Sequence, residues 1–129
     1  MSNWVEESFK QFEERLYEAA VKANPNNIEA LRALGYAYTA KRLHDKALEI
    51  DKRLVSLRPD DAVSHYNLAC SCANLGLTKE ALDALELSVL LGYSDVKHME
   101  KDPDLNNIRN DNRYQTIMAR LKHHSSKGS

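Results

Sequence analysis

The chain is 129 residues long, enough for one domain with a real hydrophobic core. Charged residues make up 29% of it, yet the net charge is only −1, so no long-range field favours nucleic acid or an anionic membrane. The longest uncharged run of apolar character, Leu87 to Tyr93, is far shorter than the ~20 residues that span a bilayer. Acids stand in the opening MSNWVEESFK where a secretory signal needs a basic and then an apolar run. These features predict a soluble, cytoplasmic protein with no membrane partner. Few prolines and glycines, and a predominance of Ala, Leu, Glu, Lys and Arg, predict an all-α domain.

In chain order, Trp4 to Ala23 reads as one helix. Val5, Phe9, Phe12, Leu16 and Ala20 mark a stripe, and Glu6, Glu7, Lys10, Glu13, Glu14 and Glu18 lie largely elsewhere. After Pro25 a helix is expected from about Asn27 to Ala40, with Asn26 as N-cap and Glu29 in capping-box spacing. The next runs from about Asp45 to Leu57, with Pro59 just past its end. A second pair follows, about Asp61 to Leu75 and Thr78 to Leu91, with Gly76 as the stop and Thr78 as the N-cap. Loops this short force antiparallel neighbours. A short helix near Ser94 to Lys101, a turn at Asp102-Pro103-Asp104 and a helix from about Asp111 to Lys122 complete the reading. Leu105, Ile108, Tyr114, Ile117, Met118 and Leu121 are expected to cover the second pair, and residues 123–129 to form a disordered tail.

Shifted by 34 positions, the middle of the chain aligns with itself. Pro25 falls on Pro59, Leu34 on Leu68, Gly35 on Ala69, Leu43 on Leu77, and Ala47-Leu48-Glu49 on Ala81-Leu82-Asp83. Gly35 costs roughly 1 kcal/mol inside a helix. Its small counterpart Ala69 suggests a close helix crossing that would exclude a larger side chain.

Leu31, Leu34, Gly35, Tyr38, Ala47 and Pro59, then His65, Leu68, Ala69, Cys72 and Ala81, resemble the tetratricopeptide repeat pattern. Two departures stand out: Asp51 holds a position that is larger and apolar in the next repeat (Leu85), and Tyr93 replaces the final proline. The resemblance covers about 68 residues and implies a right-handed superhelix of antiparallel helix pairs. Residues 1–122 are then one domain: a capping helix over 1–25, repeats over 26–60 and 61–93, and a closing segment over 94–122.

The resemblance also implies a concave groove that holds a partner's peptide or helix, lined by the first helix of each pair. Glu29, Arg32, Tyr36, Thr39, Val63, Tyr66, Cys70 and Asn74 would face it. Some family members clamp a terminal carboxylate with cations and amides; that spacing selects Arg32, Tyr36, Asn67, Lys97 and Lys101 here, with Tyr36 breaking the pattern.

Nothing in the sequence marks catalysis, a metal or a cofactor. No phosphate loop, G-x-S-x-G, H-E-x-x-H or C-x-x-C motif occurs, and Cys70-x-Cys72 has the wrong spacing for zinc. His44, His65 and His98 are expected to be structural, without a partner set by spacing, and the many acids to be solvated helix surface. The expected function is therefore non-catalytic protein binding. A homodimer built through the N-terminal half-repeat is the rival reading, with Trp4 seeking cover. An RNA-binding repeat would need a basic groove, which Glu29 opposes.

Overall fold

In a computed structural model, which describes residues 3–127, the chain is all-helical. Helices α1 (Asn3–Ala23), α2 (Ile28–Ala40), α3 (His44–Leu57), α4 (Ala62–Asn74) and α5 (Thr78–Leu90) are followed by α6 (Val96–Lys101). One turn of 3-10 helix at Pro103–Leu105 leads to α7 (Asn112–Lys127). Each helix from α2 to α5 packs on its predecessor, the 3-10 turn packs on α4, and α7 packs on α5.

The 34-residue repeat is written into the backbone. Between α2 and α3 the Leu43 N–H donates to the Tyr38 carbonyl at 2.8 Å; between α4 and α5 Leu77 donates to Cys72 at 2.9 Å. Such bonds close a helix through a residue in the left-handed region. Gly76 supplies it at φ +76°, and Arg42, its counterpart, is held there at φ +60°. The turns that enter each pair also match. Asn27 N–H bonds the Asn24 carbonyl and Asp61 N–H the Arg58 carbonyl. Asn27 caps α2 by accepting from Ala30 N–H, and Asp61 caps α4 by accepting from Val63 N–H.

Several expectations are corrected here. Asn27, not Asn26, is the cap of α2; Asn26 instead accepts from the Arg53 guanidinium at 2.9 Å, which also reaches the Pro25 carbonyl. Thr78 does not cap α5, whose N-cap Leu77 offers no side-chain bond. Helix α7 continues through the described part of the expected tail to Lys127; positions 128 and 129 lie outside the described residues. A Cβ on Gly35 would meet Ile50 Cγ2 at 3.5 Å and Asp51 Oδ1 at 3.7 Å, ordinary contact. A methyl therefore fits at the crossing, as Ala69 shows at the equivalent site.

The main core lies between α4, α5 and the closing segment. Leu85, Met99, Leu105 and Ile108 have no exposed surface, and Tyr114, Ile117, Met118 and Leu121 join them from α7. Full burial of such a side chain contributes ~1.5–3 kcal/mol. Asn107 donates to the Ala73 carbonyl at 2.9 Å, adding to the Gly76 N–H that already bonds this end of α4. The second cluster, Leu34, Tyr38 and Ala47, is smaller, and α1 reaches it through Tyr17 and Val21. The α1 stripe marked in the sequence is therefore not the packing face. Trp4, Phe9, Phe12 and Leu16 are all more than half exposed.

Candidate functional site

Residues three and four apart on a helix share a face, and two such rows meet in a groove of about 440 Å³. Arg32, Gly35, Tyr36 and Thr39 come from α2, and Val63, Tyr66, Asn67 and Cys70 from α4. Asp51 and Leu54 of α3 also line it, with Asp61 and Ser64 at the start of α4 and His98, Asp102 and Asp104 of the closing segment. Seven expected residues are thus brought together: Arg32, Tyr36, Thr39, Val63, Tyr66, Asn67 and Cys70. Glu29, Asn74, Lys97 and Lys101 are not on the lining. Asn74 stands behind it, donating to Asp104 Oδ1 at 3.0 Å and to the Cys70 carbonyl. The five-residue clamp is not assembled, since two of its three cations lie elsewhere and Arg32 pairs with Asp61 at 2.9 Å.

Carboxylates replace the expected cations. Asp61 is held below the usual carboxylate range, first by the Ser64 hydroxyl at 2.6 Å and then by Arg32 and Val63 N–H. Asp51 is 4% exposed, and burial pushes its carboxyl up to about 6 although Ser71 donates to Oδ2 at 2.6 Å. Asp102 receives the Tyr66 hydroxyl at 2.5 Å, and His98 Nε2 lies 3.2 Å from the same Oδ2. That His98 pairing sits at i, i+4 on the chain, a spacing the sequence reading passed over. His65 is also partnered, its Nε2 donating to the Pro59 carbonyl at 2.8 Å.

Tyr66 is buried as well as groove-lining. Its ring stacks on Tyr93 with centroids 4.2 Å apart and planes within 2°, and burial followed by the Asp102 bond raises its hydroxyl far above the free value. Tyr36, by contrast, is 67% exposed. The Cys70 thiol is pushed up strongly, first by burial and then by Asp102 and Asp104. It stays protonated and is a poor nucleophile. Cys70, Asp102 and Asp104 do bring three ligand atoms within 4.8 Å of one another. Tyr66 and Cys70 donate their hydrogens to Asp102, so hydrogen bonding accounts for the cluster.

A profile described as tetratricopeptide repeat matches residues 16–49. The fold is similar to a crystal structure of MamA, with a TM-score of 0.71 over 95% of this chain and 72% of that one, at 24% identity. The chain belongs to the tetratricopeptide repeat family. Among curated relatives, the peroxisomal targeting signal receptor of Saccharomyces cerevisiae is 32% identical over 94 residues, covering 73% of this chain and 15% of the receptor. A chloroplastic protein of Arabidopsis thaliana is 28% identical over 90 residues, covering 67% of this chain and 27% of that protein. The chain therefore spans about a quarter or less of these relatives. Tetratricopeptide repeats form a protein-interaction fold, and no helix among the described residues is long and apolar enough to cross a membrane.

Proposed function

We propose that this tetratricopeptide repeat domain is a non-catalytic interaction module whose α2–α4 groove holds a peptide or helix of a partner protein. The observation that carries this reading is Tyr36, a large aromatic side chain left 67% exposed on the rim of a groove with an apolar wall. Exposed tyrosines of this kind supply contact area at low entropic cost and recur among residues that dominate binding energy. The groove's carboxylates weigh against RNA. The unpaired, buried Cys70 and Cys72 fit a reducing compartment such as the cytoplasm. Tagged protein would capture a partner from native lysate, and Tyr36→Ala would lose it while its thermal unfolding stays unchanged. Equal capture by both proteins would end the groove reading. Tyr66 is unsuited to this test because it supports the core.

A second reading follows from the exposed stripe of α1. We propose that two copies pair through Trp4, Phe9, Phe12 and Leu16. A 21-residue helix is about 32 Å long, so a single-helix contact falls below the ~800 Å² per partner of a stable interface. The dimer would be weak and concentration-dependent. Light scattering that reports a monomer at every concentration would remove it.

A further inference from the structure

We propose that the groove selects a partner segment bearing a lysine or arginine, whose cationic end is received by Asp51 at the groove floor. This rests on the groove being the binding surface.

Asp51 sits on α3 behind the gap between α2 and α4. Its Oδ2 is taken by Ser71, but no donor among the described residues reaches Oδ1. Gly35 stands in front of that oxygen, and the place of its missing Cβ lies 3.7 Å from Oδ1. The glycine thus leaves an approach to a carboxylate that is otherwise almost wholly covered. Asp51 Oδ1 is not among the buried unpaired atoms of the described residues, so it opens on the groove, where a donor from a partner, preferably a charged one, can reach it.

The surroundings repeat this preference. Four carboxylates, Asp51, Asp61, Asp102 and Asp104, line the groove, against Arg32 and His98. Arg32 is occupied by Asp61 and His98 lies against Asp102, so neither reaches across to neutralise Asp51. Tyr36, exposed on the same lining, is accessible to the aliphatic stem or the charged end of an incoming side chain. The cost falls on this repeat alone, because the equivalent position in the next is the fully buried Leu85.

The test uses fluorescent octapeptides with both ends blocked, alternating leucine with lysine, glutamine or glutamate, followed by anisotropy. The lysine peptide is expected to bind most tightly, and Asp51→Asn to weaken it about tenfold, the worth of one charged hydrogen bond. The glutamine peptide should respond little to that change. Asp51→Asn keeps an acceptor for Ser71, and unfolding monitored in parallel separates lost binding from lost folding. Equal binding of the lysine peptide by Asp51→Asn overturns the proposal, as does failure of any peptide to bind at millimolar concentration. If the glutamine peptide binds as well as the lysine one and both are lost in Tyr36→Ala, the charge preference falls while the groove reading stands.

Discussion

In the second repeat, position 85 is a leucine with no exposed surface, locked among α4, α5 and the closing segment. In the first, the same position is Asp51, almost as buried but charged. The turns that lead into the two helices share their main backbone hydrogen bonds, whereas those that follow differ, Arg58 N–H bonding the Leu54 carbonyl and Tyr93 N–H the Ser88 carbonyl. Nor are the surroundings equal. The core around Leu85 draws on α4, α5, α6 and α7, whereas Leu34, Tyr38 and Ala47 form a small cluster bordered by α1 and Ile50. Two copies of one backbone can therefore divide their work, one storing stability and the other tolerating a cost beside the groove.

The contrast can be broken at three points. The largest effect is expected from Leu85→Ala, which leaves a cavity in the tighter repeat and should lower unfolding free energy by roughly 3 kcal/mol in a denaturant titration. A loss below about 1 kcal/mol would show that the second repeat is not the stabilising one. Next is Asp51→Asn. The folded carboxyl titrates at about 6 against 3.8 in the free state, so the native protein holds the proton longer. Stability is then fullest below pH 4 as far as this group is concerned, and declines as pH rises from about 4 to about 6. The amide should flatten that decline and raise stability at neutral pH by about 2 kcal/mol. Melting curves of both proteins across this window read it directly, and a parallel pair of curves would remove the buried-charge cost.

The smallest effect is expected at Gly35→Ala. Its methyl would make ordinary contact with Ile50, so restored helix propensity should add up to about 1 kcal/mol by the same titration. A net loss would mean that the first repeat is packed as tightly as the second after all.

Much of this was legible beforehand, for reasons visible in particular residues. The 34-residue period placed the four helices of the two repeats to within a residue or so, because Pro25, Pro59, Gly76 and the small Ala47 and Ala81 each answer a local steric demand. The closing segment's six apolar residues are all buried, as expected of a segment that covers the second pair. Cap identity was less legible. Asn26 and Asn27 are adjacent and alike, and only Arg53, brought in by tertiary packing, separates their roles.

The groove was readable on its α2 and α4 walls and not on its floor. The family resemblance points to Arg32, Tyr36, Tyr66 and Cys70, whereas Asp102 and Asp104 arrive from a segment outside the repeat, whose register the period does not fix. Asp51 had a signal, its departure from Leu85, but charge alone suggested a solvated surface. Apolar periodicity likewise marked the α1 stripe without telling a packed face from an exposed one.

The placement of the last third of the chain limits how such an array can be extended. With α7 seated on α5 and the 3-10 turn on α4, the surface that would receive another helix pair is already capped by Leu105, Ile108 and Ile117. Grafted modules would therefore have to be joined ahead of α1, where aromatic side chains still face water, giving the assembly a single direction of growth.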